Sequence, residues 1–328
     1  MRDHIVIAGG SGFLGQALAT YFGARDREVV VLSRTAGLSS LTARQVTWDG
    51  RSLGPWRKEL EGAEAVINLS GKSVNCRYHT RNRREILESR VASTCVLGEA
   101  ISRCTQPPPV WLNASTATIY RHTFAEPWDE TGEIGATREA KDAFSIEVAR
   151  AWEATLEEAK TPRTRKVAMR TAMVLGQGQN SVFPVLRRLA RCGLGGRLGT
   201  GRQFVSWIHE TDFCRAVEWL TRHDKLEGSV NLAAPNPLSN AEMMRTLRQV
   251  CRAPFGLPAT NWMLEVGAFV MRTETELVVK SRRVVPGRLL ESGFEFHFST
   301  IRQAFEELCA RRQAVTLETG ATRQSQSI

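Results

Sequence analysis

The sequence predicts an α/β fold, a doubly wound parallel sheet with a smaller, mainly helical C-terminal lobe, and three features predict it. Short β-like runs alternate with helical patterns through most of the chain, as expected of a parallel sheet covered by helices. A strand, turn and helix near the N-terminus carry four closely spaced glycines in "IVIAGGSGFLGQAL". From about residue 236 onward helical patterns dominate, with prolines at 254, 258 and 286 as punctuation.

Taken in order, "HIVIAG" (4–9) is the first strand, and "FLGQALATYFGA" the helix that follows it. "EVVVLS" (28–33) and "RQVTWD" (44–49) are further strands, and "EAVINLSG" (64–71) is a fourth, entering a long helix over 83–104. The prolines of "PPPVWLNAST" (107–116) mark the entry to a fifth strand. A helix over 138–159 leads to "RKVAMRTAMVLG" (165–176). The glycine-rich span 193–201 breaks the pattern, "FVSWI" (204–208) resumes it, and "SVNLAAP" (229–235) reads as a late strand rejoining the sheet. The expected organisation is a cofactor-binding domain over 1–235 with a glycine-rich loop insertion at 177–203, a smaller lobe over 236–312, and a polar, aperiodic, disordered tail over 313–328.

Composition narrows the classes. The chain has 328 residues, 42% hydrophobic and 24% charged, enough for a full-size core. No apolar run approaches the roughly 18 residues of a membrane helix, and "HIVIAGG" follows the N-terminus too directly for a secretory leader. The seven cysteines form no C-x-x-C pair, so they read as reduced thiols of a cytoplasmic protein and not as a disulfide frame or metal site. The net charge of +10 raises the question of nucleic acid, but the arginines are spread along the chain and no nucleic-acid motif accompanies them. The expected partner is a small molecule, with neither nucleic acid nor membrane, and helices packed on a sheet leave room for a homodimer.

The glycine turn carries the first chemistry. Gly9, Gly10, Gly12 and Gly15 satisfy both G-x-x-G-x-x-G and G-x-G-x-x-G between a strand and a helix. Such a turn lets a pyrophosphate approach the backbone, and the helix N-terminus lends N–H groups and its dipole to the phosphates. This is a Rossmann-type dinucleotide site, with Ser11, Phe13 and Leu14 in the turn and Leu69, Ser70 and Gly71 after the fourth strand as further candidates. At the end of the second strand, where NAD sites place an acid for the ribose 2′-hydroxyl, the chain has Ser33 and then Arg34. A guanidinium pairs with a 2′-phosphate that a carboxylate would repel, so NADP(H) is expected over NAD(H).

With "AGGSGFLG" and "AVINLSG" in place, the chain resembles the extended and atypical short-chain dehydrogenase/reductase superfamily, and within it the YfcH-like epimerase family proteins. The narrower likeness rests on "WDG" (48–50), "SR" (89–90), "ST" (93–94), "WE" (152–153), "GLGGRLGTGRQFVSWIHETD" (193–212) and "VVPGRLLESGFEF" (284–296). It covers residues 4 to about 310. It implies a Rossmann domain with a small substrate lobe, NADP(H) binding, and a reaction that is poorly defined for the group.

The same resemblance implies a Ser or Thr at the end of strand five that hydrogen-bonds the substrate oxygen, and "NASTATIY" puts Thr116 there with Ser115 adjacent. Turn-making or helix capping is the competing reading for both hydroxyls. It also implies a tyrosine and, one turn later, a lysine on the following helix, where this chain has Ser145 and Ala149. The three tyrosines, Tyr21, Tyr78 and Tyr120, are followed four residues later by Arg25, Asn82 and Phe124, so no Y-x-x-x-K exists. Tyr120, Glu153 and His209 are candidate substitutes, against a core tyrosine, a salt bridge within the fold and a packed histidine. Arg197, Arg202 and Gln203 among the glycines of 193–201 suit either a lid over an anionic ligand or tight turns between lobes.

Two readings stay open. One is an NADP(H)-dependent oxidoreductase or epimerase-like enzyme on a small substrate, anionic or not; the other is a module that senses NADP(H) and turns over nothing. The missing Tyr/Lys pair favours the second, and Thr116 with the glycine span favours the first, to which the balance tips.

Overall fold

The computed structural model describes residues 4–35, 43–178, 180–260, 263 and 280–311. Seven parallel strands form the main sheet: β1 (His4–Ala8), β2 (Glu28–Ser33), β3 (Arg44–Thr47), β4 (Ala65–Asn68), β5 (Val110–Thr116), β6 (Arg165–Thr171) and β10 (Gly228–Leu232). Their spatial order is β10-β6-β5-β4-β1-β2-β3. The chain runs outward from β1 to β3, then returns to β4 on the other side of β1. That reversal opens a crevice beyond the C-terminal ends of β1 and β4, where open α/β sheets bind ligands.

Both faces of the sheet are buried, which is why its strands read as continuous apolar runs. Alternate side chains serve opposite faces. Ile5 and Ile7 of β1 pack with Leu18 and Phe22 of α1 (Phe13–Gly23) and with Phe213 and Val217 of α5 (Glu210–Arg222). Val6 and Ala8 enter the other layer, with Val96 and Leu97 of α2 (Thr80–Ser102) and Leu156 of α3 (Ala143–Glu158). Trp48 of "WDG" sits in that layer edge-on to Trp56, their ring centres 5.3 Å apart, while Asp49 caps the turn at Arg51 and Ser52.

A third core joins α4 (Val182–Arg191), α6 (Asn240–Cys251) and the helix over 301–311 around Trp207, Phe183 and Phe305. Residues 287–291 form the short helix α7 (Gly287–Glu291). None of the described helices is long and apolar enough to cross a membrane. The tail expected over 313–328 lies outside the described residues.

Three expectations are corrected. "FVSWI" does not join the main sheet: β8 (Phe204–Val205) pairs with β11 (Leu238–Ser239), and β9 (Trp207–His209) pairs with β7 (Met173–Leu175). Ser206 divides the run because its hydroxyl turns to the backbone of Arg282 and Val284. The helix expected from 138 starts at Ala143, since Asp142 accepts from Thr137 N–H at 2.8 Å and pairs with Lys280 at 2.5 Å, both charges fully buried. The span 177–203 is not one loop, because α4 lies inside it.

Candidate functional site

The glycine turn is built around four different demands. Gly9 has φ +77°, and a Cβ there would lie 2.9 Å from Ser70 Cα, so it needs both a left-handed backbone and close approach to the β4 turn. A Cβ on Gly10 would meet Val31 Cγ1 at 2.7 Å, and one on Gly15 would sit 2.3 Å from Gly10 Cα. Gly12 differs: at φ −77°, its added Cβ would meet only Gly9 O, at 3.6 Å. Gly9 lets the turn close on the one after β4, Gly10 and Gly15 let it pack on β2 and on helix α1, and Gly12 leaves open space in front of the helix.

Helix α1 starts at that space without a side-chain cap and without an acid in its first turn. Its first N–H groups therefore face the crevice with the positive end of the helix dipole. Ser70 Oγ is buried beside the turn with no hydrogen-bond partner among the described residues. An open cradle, uncapped donors and an orphaned hydroxyl fit a dinucleotide pyrophosphate.

A cavity of about 530 Å³ opens from the turn. Of the expected cofactor residues, Gly9, Gly12, Phe13, Leu14, Gly15, Leu69 and Gly71 line it. Gly10, Ser11, Ser33, Arg34 and Ser70 do not. Ser33 is buried at the end of β2, where its hydroxyl donates to Thr35 O and accepts from Thr35 N–H; the turn so formed leaves Arg34 exposed.

The far part of the cavity reaches Ser115 and Thr116 at the end of β5, and Phe144, Ser145, Val148 and Trp152 on α3. Thr116 Oγ1 accepts from Thr118 N–H at 3.1 Å, and its own hydrogen has no acceptor among the described residues. Ser115 Oγ gives its hydrogen to Glu153 Oε1 at 2.5 Å. The adjacent hydroxyls thus differ: Thr116 has a hydrogen to donate into the cavity, and Ser115 is tied down.

Glu153 in turn holds Arg170, which donates through Nε and Nη2 to the two carboxylate oxygens at 2.9 and 2.8 Å. Burial alone would lower the Arg170 pKa, but the hydrogen bond and charge of Glu153 outweigh it and hold the pKa above its ordinary value. Arg170 also donates to the Tyr120 hydroxyl at 2.9 Å, which donates to Asn231 Oδ1 at 2.8 Å. Tyr120 is 1% exposed and absent from the cavity wall, and burial pushes its phenol up. The structure therefore does not bring Tyr120 or Glu153 to the cavity; both belong to a paired polar layer within the fold.

His209 is also elsewhere. Its Nδ1 accepts from Thr211 N–H and so caps α5, while Nε2 meets Glu307 Oε2 at 3.0 Å. Burial lowers its pKa despite Glu307. The glycine span folds as turns and not over the cavity: Leu257 N–H donates to Gly193 O and Gly199 N–H to Ala259 O, both at 2.8 Å. Arg197 staples its own loop through Gly199 O and Thr200 O, and Arg202 lies 5.6 Å from the Phe124 ring centre. Neither arginine lines the cavity.

Two cavity residues escaped the sequence reading. Tyr78, set edge-on to Phe144 at 5.1 Å, also lines the cavity. Arg90 brings a guanidinium, and "SR" at 89–90 was its signal. The "ST" and "WE" pairs form the scaffold behind it: Trp152 Nε1 donates to Thr94 Oγ1 at 3.0 Å, and Thr94, Asn68 and Asn113 are bonded together in the interior.

Comparison with known proteins agrees with this geometry. The model of the NAD dependent epimerase/dehydratase family matches residues 5–233, and that of a domain of unknown function, DUF1731, matches residues 259–308. Epimerase family protein SDR39U1 of Bos taurus is 30% identical over 312 residues, covering 93% of this chain and 99% of that protein. Epimerase family protein YfhF of Bacillus subtilis strain 168 is 29% identical over 313 residues, with 95% and 100% covered. The crystal structure of human SDR39U1 with NADPH matches with a TM-score of 0.80 at 28% identity, over 93% of this chain and 98% of that one. UDP-N-acetylglucosamine 4-epimerase from Bacillus cereus, 16% identical with a TM-score of 0.69 over 95% and 99% of the two chains, shares the fold. This chain is a nicotinamide-cofactor-binding member of the NAD dependent epimerase/dehydratase family, on the atypical short-chain dehydrogenase/reductase branch.

Proposed function

We propose that the protein is an NADP(H)-dependent oxidoreductase or epimerase-like enzyme acting on a small molecule held in the cavity. The observation that carries this reading is the continuity of one cavity from the Gly12 cradle to the Thr116 hydroxyl. Gly9, Gly12 and the N-terminus of α1 hold the pyrophosphate, and Arg34 takes the 2′-phosphate. When bound, the nicotinamide supplies or accepts a hydride. Thr116 donates its free hydrogen to the substrate oxygen, and Tyr78 holds the proton that this oxygen takes up or releases. Phe144, Val148 and Trp152 keep water from that face.

Titration with NADPH and with NADH, followed by nicotinamide fluorescence, tests the reading. Tight NADPH and weak NADH binding is expected, with the preference reduced about tenfold or more in Arg34→Asp. Equal affinities before and after that substitution remove Arg34 from the 2′-phosphate. A second reading, a module that senses NADP(H), draws on Ser145 and the fully buried Ala149, neither of which replaces the family's phenol or amine. Retention of NADPH without consumption across a panel of small carbonyl compounds would favour it.

A further inference from the structure

Arg90 lies on α2 and lines the cavity. Its guanidinium is stacked on Trp152, 5.0 Å from the ring centre, and a Cβ added to Gly71 would touch its Cζ at 3.1 Å. Nη1 donates to two main-chain carbonyls, Lys72 O at 3.0 Å and Ile86 O at 2.9 Å. An arginine has five N–H donors, so three remain, on Nε and Nη2. They find no acceptor among the described residues, and no described carboxylate pairs with the side chain. Nε and Nη2 form the fork with which Arg170 grips both oxygens of Glu153 in this same molecule.

Taking a cation out of water is costly unless a counter-charge meets it. Burial brings the Arg90 pKa down to about 10, which leaves it charged at neutral pH. The walls around it, Ile86, Val148, Phe144 and Trp152, are largely apolar. We propose that Arg90 is the anion anchor of the cavity, its Nε and Nη2 gripping a phosphate or carboxylate of the bound ligand side-on. This rests on the cavity being the cofactor and substrate site. The anion has two possible sources, a phosphate of NADPH or an acidic group of the substrate.

The test uses the full chain with Arg90→Met, which keeps an unbranched stem against Trp152, and Arg90→Lys, which keeps the charge without the fork. Each is titrated with NADPH by fluorescence; phenyl phosphate and benzoate are then titrated into each NADPH complex. If the anion belongs to the cofactor, Arg90→Met weakens NADPH binding about tenfold or more and Arg90→Lys falls between. If it belongs to the substrate, NADPH binding is unchanged, but phenyl phosphate or benzoate binds the wild type and not Arg90→Met. Either result supports the anchor. Equal NADPH affinity together with equal probe response, including no response in either protein, overturns it. Should Arg90→Met fail to fold, Arg90→Lys alone decides by the same two titrations. A wild type that binds no NADPH would instead sink the cofactor reading, and the probes are then titrated into the protein alone to judge Arg90.

Discussion

Arg170, on β6, holds Glu153 through two hydrogen bonds and is 5% exposed. Arg90, on α2, is also largely withdrawn from water, but it meets only carbonyls and a tryptophan face. The first has its pKa held up by its partner, and the second has it lowered by burial. Arg90 lines the cavity and Arg170 does not; Arg170 has its carboxylate, and Arg90 has none among the described residues. A buried charge that the fold already satisfies belongs to the fold, and a half-buried one on a cavity wall with donors to spare points to a ligand.

The largest expected effect would test the complete side of this contrast. Arg170→Met leaves Glu153 buried without its cation, and removing one partner of such a pair costs about 3–5 kcal/mol. Denaturant unfolding should show that loss, and Arg170→Met combined with Glu153→Met should recover a large part of it. A single substitution costing under about 1 kcal/mol would mean that Glu153 is solvated some other way.

The glycine turn sharpens the same division. Gly12→Val should reduce NADPH affinity about a hundredfold with little change in melting, since its φ suits any residue and its Cβ meets almost no protein atom. Gly15→Val should instead damage folding, because its Cβ would collide with the Gly10 backbone. If both variants melt early, the proposed separation of cradle from packing is wrong.

The cradle was legible in the sequence because its demands fall on the backbone, and backbone demands select glycine. The sheet was legible because strands buried on both faces leave apolar runs. Arg90 was legible only as half of the "SR" pair at 89–90, and it is the stack on Trp152 and the contact with Gly71 that give it a place at the cavity. For Arg197 and Arg202 the sequence left a lid over an anionic ligand and tight turns between lobes both open, and the turns are what form, with their glycines seating the backbone of 255–259. Tyr120 looked close to Thr116 by number, but the 3-10 turn Ala117–Ile119 directs its phenol to Asn231. Ser33 and Arg34 were legible as a pair, though it is the Ser33–Thr35 turn that leaves Arg34 exposed.

At strand five, the adjacent hydroxyls repeat the contrast between satisfied and unsatisfied groups. Thr116→Val removes the hydrogen that the fold does not use, so turnover should drop about a hundredfold with NADPH affinity unchanged. Ser115→Ala removes a bond to Glu153 and should appear mainly as lost stability, about 1 kcal/mol. Turnover that survives Thr116→Val but not Ser115→Ala would reverse the two assignments.

The smallest expected effect concerns His209, a buried group whose partners all lie within the protein. Burial lowers its native pKa below the ordinary 6.5, so above pH 6.5 the imidazole is neutral in both folded and unfolded chains. As pH falls below 6.5 the unfolded chain binds a proton that the native one refuses, and stability declines until the lower native pKa is reached. His122 is shifted the same way by burial, so the difference between wild type and His209→Asn is the informative quantity. Asn keeps an acceptor for the Thr211 N–H cap. Unfolding free energies measured from pH 7.5 downward should therefore fall less steeply for the variant below pH 6.5. Parallel curves would mean that Glu307 offsets burial and that His209 protonates equally in the native and unfolded chains.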